Sequence, residues 1–136
     1  MPIELEMVLR ILLAMVLGGI LGFQRGKAEK PAGLRDLILI CSGAALFTVV
    51  SAYGFGITDQ ARVAAGIVTG IGFLGAGVIL RRDDSNVVKG LTTAATIWIT
   101  AGIGMAAGSG MYILAVATTV MVFLVLILPW RLNKKD

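Results

Sequence analysis

Five apolar stretches follow one another along the chain, at about residues 7–23, 34–53, 61–80, 91–107 and 111–130, with short polar breaks between them. Each is close to the roughly 20 residues that a helix needs to cross a bilayer core. Within the stretches apolar residues neither alternate nor gather on one face. That pattern marks helices apolar all round, for which lipid is the natural solvent. The prediction is an all-α integral membrane protein of five transmembrane helices, built as a single transmembrane domain over residues 1–136.

Small residues then divide the faces of these helices. In the first, Ala14, Gly18, Gly22 and Gly26 recur every fourth position and form a stripe against which another helix can pack closely. In the third, Gly66 and Gly70 form a small-xxx-small pair. Gly72, Gly75 and Gly77 break that spacing, so its second half (FLGAGV) leaves room for a local bend or unwinding. In the fourth, Thr92, Thr96, Thr100, Gly104 and Gly108 make a narrow polar and small stripe. A threonine on a helix can donate to its own backbone four residues back, and the same hydroxyls can instead line a hydrated path or touch another helix. Gly18, Gly22, Gly66, Gly70, Gly75, Gly77 and Gly104 are the expected helix-packing glycines. The whole bundle is therefore expected to be glycine-rich and closely packed.

Composition sharpens this picture. Residues are 57% hydrophobic and only 15% charged, and 18 are glycine, which suits packed membrane helices better than a soluble core. The net charge of +4 does not point to nucleic acid, because the basic residues sit at the ends of apolar stretches. Assigned to the two faces of a five-span protein, ten fall on one side: Arg25, Lys27, Lys30, Arg35, Arg81, Arg82, Lys89, Arg131, Lys134 and Lys135. Only Arg62, with Arg10 inside the first span, falls on the other. The positive-inside rule then puts the N-terminus outside and the C-terminus in the cytoplasm. The acidic leader with Glu4 and Glu6 is unlike a secretory signal, and four further spans follow it.

Candidate chemistry is sparse. Cys41 is the single cysteine and there is no histidine, so neither an intrachain disulfide nor a Cys/His zinc site is expected. Cys41 reads as a small packed thiol. Arg10 can reach the end of its span or pair with Glu6 at i,i+4. Arg35 and Asp36 stand at the start of the second span, where an ionisable pair is a functional candidate and a carboxylate also suits the helix dipole. Asp59 is placed to cap the third helix, close to Arg62. The bend with Arg81, Arg82, Asp83 and Asp84 reads as a solvated loop facing anionic headgroups, since two arginines oppose a metal site there. Trp130 suits an interfacial anchor and Pro129 a helix end. The candidate polar path or contact is thus Arg25, Arg35, Asp36, Asp59, Arg62, Thr92, Thr96 and Thr100, with no metal site and no cofactor.

Three stretches, PAGLRDLILICSGAALF (31–47), DQARVAAGIVTGIGFLGAGVIL (59–80) and VKGLTTAATIWITAGIGMAAG (88–108), together resemble the transmembrane domain of the MgtC/SapB family. The resemblance runs from about Leu9 to Val125. It implies a multi-pass protein of the bacterial inner membrane, associated with growth in low magnesium and, in one member, with restraint of the proton-translocating ATP synthase. Longer members carry a cytoplasmic ACT-like domain after the fifth span, so the chain is similar to the membrane module alone. Where the family often has acidic–Arg–acidic, the chain has Gln24, Arg25 and Gly26. Where it often has Arg–Thr, the chain has Arg35–Asp36, and Arg-x-Ala-Ala-Gln is here Arg62 to Gly66.

No segment between the spans is long enough for a catalytic or nucleotide-binding domain, and GIGFLGAG lacks the GK[ST] ending of a phosphate loop. The preferred reading is a regulatory module that binds other membrane proteins and is linked to magnesium limitation or membrane energetics. The alternative is an oligomeric transporter or channel for a small ion, Mg²⁺ or another, with a path along the third and fourth spans. A membrane enzyme is a third class, with only carboxylates and Cys41 to serve it. Membrane lipids, further copies of the chain as a homo-oligomer, and other membrane proteins are the expected partners.

Overall fold

A computed structural model describes residues 2–56, 60–80 and 90–128. Asp59, the charged bend from Arg81 to Lys89, Pro129, Trp130 and the basic tail lie outside these residues. Five helices follow in order: α1 (Ile3–Lys27), α2 (Leu34–Gly54), α3 (Gln60–Leu80), α4 (Leu91–Gly108) and α5 (Tyr112–Leu126). The first four are long and apolar enough to cross a membrane, whereas α5 has 15 residues. At 1.5 Å per residue α5 is about 22 Å long, short of the roughly 30 Å hydrocarbon core.

Local chemistry sets the helix ends. In α1, Glu4 and Glu6 occupy the first turn and Arg25 and Lys27 the last, each sign opposing the partial charge of its helix end. That pattern carries α1 to 25 residues, beyond the expected 7–23. At its C-terminus Glu29 N–H donates to Gly26 O at 3.0 Å and Lys30 N–H to Arg25 O at 2.9 Å. This pair of bonds closes a Schellman motif, with Glu29 in the left-handed position at φ 57°. α4 ends in the same way: Gly110 N–H donates to Ala107 O and Met111 N–H to Ala106 O, with Gly110 at φ 84°. α2 begins where Asp36 accepts the Gly33 N–H at 3.2 Å.

α1, α2 and α4 form the core. α1 runs antiparallel to α2, with Gly18 beside Leu37 and Cys41 and Gly22 beside Leu34. α2 and α4 are parallel, with Gly104 beside Cys41 and Gly108 beside Ala45. Ala14, Leu17, Leu21, Leu37, Cys41, Ala45, Ile97, Ile103 and Ala107 fill the space between them. Two sequential helices joined by a short bend run antiparallel, so a parallel α2–α4 pair requires α3 to return outside the core. α3 packs on α4, where a Cβ at Gly75 would lie 3.5 Å from that of Ala94, and more loosely on α2. Across its apolar window only 6% of α3 is buried, against 50% of α4. α5 lies along α1 and α4.

α3 is helical without a break through FLGAG, in contrast to the bend its glycines suggest. Glycine costs a helix about 1 kcal/mol per residue. In hydrocarbon, a backbone amide released from the helix costs several kcal/mol, and the continuous helix wins.

Candidate functional site

The polar groups collect in two places along the α1–α4 seam. At one end Arg25, on the last turn of α1, is 2% exposed. Its Nη2 donates to Thr93 Oγ1 on α4, and both Nε and Nη2 donate to the carbonyl of Pro31, at 3.3 and 3.0 Å. The guanidinium thus bonds the start of α4 and the α1–α2 connection at once, a task suited to its planar fork. Next to it, Gln24 Nε2 donates to Leu126 O at the end of α5, at 3.4 Å.

At the opposite end Arg10 plays the matching part. Its Nη1 donates to Gly108 O at 3.0 Å, its Nε to Tyr112 Oη at 3.0 Å, and its Nη2 to Glu6 Oε2. The Tyr112 hydroxyl in turn donates to Glu6 Oε2 at 3.2 Å. The guanidinium carbon lies 5.5 Å from the Tyr53 ring centroid and 6.0 Å from that of Tyr112, within cation–π range. Gly110 lies under it, where a Cβ would sit 3.0 Å from Nη2. α1 is therefore fastened to α4 by an arginine at each end.

Between these ends the helices touch through glycine. A Cβ on Gly18 would lie 2.5 Å from Leu37 O, one on Gly22 2.7 Å from Leu34 Cα, and one on Gly108 2.6 Å from Ala45 O. One on Gly104 would overlap Cys41 O. Of the expected packing glycines, Gly18, Gly22, Gly75 and Gly104 meet neighbours within the chain. A Cβ on Gly66, Gly70 or Gly77 would meet nothing within 4 Å, and the same holds for Gly26 at the end of the α1 stripe.

The other sequence candidates are dispersed. Arg35 and Asp36 stand exposed on the first turn of α2, and Arg62 on the first turn of α3. Thr92 is half-buried; Thr96 is buried and donates to Thr92 O at 2.7 Å, the local back-bond. Thr100 is fully buried, and its Oγ1 has no hydrogen-bond partner among the described residues. Among those residues no group of three or more His, Cys, Asp or Glu is placed to hold a metal ion.

Glu6 is the i,i+4 partner expected for Arg10, whereas Thr93, Tyr53 and Tyr112 are partners that the residue pattern did not single out. Thr93 sits one position off the every-fourth stripe, because a 3.6-residue helix rotates away from a spacing of four. The tyrosines look like ordinary interfacial aromatics. The signal that pointed to them was the charge inside the first span, since Arg10 at that depth needs partners.

Several cavities flank α3. One, of about 360 Å³, is lined by Thr48, Ser51, Gln60, Val63, Met105 and Ser109 among others. A larger one, of about 630 Å³, lies between α2, α3 and α4 and is apolar.

Residues 11–135 match the family model described as the MgtC family. The chain belongs to the MgtC family. It is 50% identical over 129 residues to "Putative magnesium transporter YhiD" of Escherichia coli (strain K12), an alignment covering 89% of this chain and 59% of that protein. It is 38% identical over 141 residues to "Protein SapB" of Bacillus subtilis (strain 168), covering 97% and 60%. To "Protein MgtC" of Salmonella typhimurium (strain LT2) it is 44% identical over 115 residues, covering 85% and 48%. The chain thus spans about half to three-fifths of these relatives. No solved structure matches it. With its membrane-spanning helices, this family membership makes it a multi-pass protein of the bacterial inner membrane.

Proposed function

We propose that the chain is a non-catalytic regulatory module that acts by binding other proteins within the membrane. The observation that carries the reading is the outward face of α3. Arg62, Ala65, Thr69, Gly72 and Ala76 recur at three- and four-residue intervals, all exposed, on a helix of which 6% is buried. Small residues on an open membrane helix allow a second backbone to approach closely, and Thr69 adds a hydroxyl for an interhelical bond. The partners are other membrane proteins and further copies of the chain. Five spans, with the N-terminus outside and the basic connections in the cytoplasm, complete the proposal, as does a link to magnesium limitation or membrane energetics.

A photo-cross-linking residue at Gly72, illuminated in native membranes, tests this reading. Discrete protein adducts are expected; adducts to lipid alone refute it. A specific observation also favours ion transport by an oligomer: the buried Thr100 Oγ1 lacks a partner among the described residues, on the stripe with Thr92 and Thr96. Purified protein in sealed vesicles under a membrane potential decides this second reading, which falls if Mg²⁺, H⁺ and Na⁺ all fail to cross.

A further inference from the structure

The 630 Å³ crevice beside α3 has the dimensions of a hydrocarbon chain rather than of a helix. Its lining runs along α3 from Val63 to Leu74 and along α2 from Leu39 to Phe47. At 1.5 Å per residue the α3 side is about 16 Å long, close to the roughly 15 Å of hydrocarbon in one leaflet. A spanning helix about 30 Å long and 10 Å across displaces roughly 2,400 Å³, several times the crevice. Glycine keeps the crevice open, since a Cβ at Gly43, Gly66 or Gly70 would meet nothing within 4 Å.

The rim adds charge. Arg35 precedes Leu39 by four residues, on the same face of α2 and about 6 Å further toward the helix start. It is exposed and has no ion-pair partner among the described residues. The neighbouring carboxylate, Asp36, is engaged by the Gly33 N–H. Side chains on a helix lean toward its N-terminus, which carries the Arg35 guanidinium away from the hydrocarbon and toward the phosphate level.

We propose that the crevice binds one acyl chain of an anionic glycerophospholipid whose phosphate rests on Arg35. The apolar walls hold the chain without regard to headgroup. Arg35 supplies the preference for negative charge through charge-assisted hydrogen bonds to phosphate oxygens. The site is separate from the outward face of α3, and its test does not depend on that face.

The purified chain, equilibrated in nanodiscs of equal phosphatidylglycerol and phosphatidylcholine and released for native mass spectrometry, is expected to retain one phospholipid per chain. Phosphatidylglycerol should be favoured about fivefold, the effect of one cationic side chain near the surface. Arg35→Gln is expected to keep the lipid and lose the preference. Gly43→Leu with Gly70→Leu fills the crevice and should abolish retention, while Gly26→Leu, equally unobstructed but outside the crevice, should leave it intact. The proposal is overturned if the wild-type chain retains no lipid, or retains both headgroups equally. Undiminished preference in Arg35→Gln, or undiminished retention in the filled variant, overturns it too. A smaller oligomer on filling assigns the crevice to a contact between copies, which also overturns it. Should the double variant fail to fold, Gly70→Leu alone and Arg35→Gln carry the test.

Discussion

Glu29 and Gly110 hold the same place in two instances of one helix-ending motif, at φ 57° and 84° respectively. Each is the left-handed residue whose N–H bonds back to a carbonyl of the preceding turn. Glycine occupies that conformation without cost, whereas a residue with a Cβ gives up about 1–2 kcal/mol. Glu29→Gly should therefore stabilise the α1–α2 connection by about 1 kcal/mol, read as a rise in thermal midpoint in detergent. The reverse change, Gly110→Ala, should lower the midpoint, because it adds backbone strain and also presses a methyl group against Arg10.

The glycines separate into two classes by what a methyl group would meet. Gly104→Ala drives a Cβ into the Cys41 carbonyl and should destabilise by about 1–3 kcal/mol, the range for overpacked cores. Gly43→Ala meets open space and should gain up to about 1 kcal/mol of helix propensity. Cys41 itself reports the difference. Its buried thiol should resist a maleimide in the folded protein and react sooner in Gly104→Ala.

Thr93→Val removes an acceptor from a buried guanidinium while keeping the shape of the side chain. A loss of about 1–3 kcal/mol is expected in reversible denaturant unfolding. Thr93→Ser, which restores the oxygen, should recover most of it. Recovery by valine rather than serine would show that Thr93 acts through packing alone.

Thr100 predicts the opposite sign. A buried hydroxyl without a partner costs about 1–3 kcal/mol relative to an apolar group. Thr100→Val should therefore stabilise the protein, in contrast to Thr93→Val in the same assay. A destabilised Thr100→Val would show that a group beyond the described residues holds this hydroxyl.

At the other end of the seam, Arg10→Gln gives up a charge-assisted bond to Gly108 O and the attraction to two aromatic rings. A loss of about 2–3 kcal/mol is expected, with Arg10→Lys intermediate because an ammonium cannot form the same fork. Thermal unfolding of the three proteins side by side orders them.

Much of the fold was legible because lipid imposes length. Residues 34–53 and 61–80 announce α2 and α3 within a residue or two, since chain that leaves the helix in hydrocarbon exposes unsatisfied backbone. The α1 stripe through Ala14, Gly18 and Gly22 was equally readable, because close approach demands small residues at helical spacing. What stayed hidden was which faces meet. Gly66 and Gly70 carry the same small-xxx-small signal as Gly18 and Gly22, yet within the chain they border a crevice. Spacing shows that a face permits close contact, and tertiary arrangement decides whether another helix comes. The same holds for Arg25: the pattern marked it as a candidate polar contact but not its partner Thr93, 68 residues away.

The parallel pairing of α2 with α4 has a consequence for biogenesis. Helices leave the insertion machinery in chain order, so α1 and α2 are in the membrane before the helix that completes their core has been made. α3 arrives ahead of α4 and must stand aside while α4 slides in beside both. A helix that settled firmly on α1 and α2 at that stage would block its successor. Among the described residues α3 packs only loosely on α2, an arrangement that leaves room for the last core helix to reach its place.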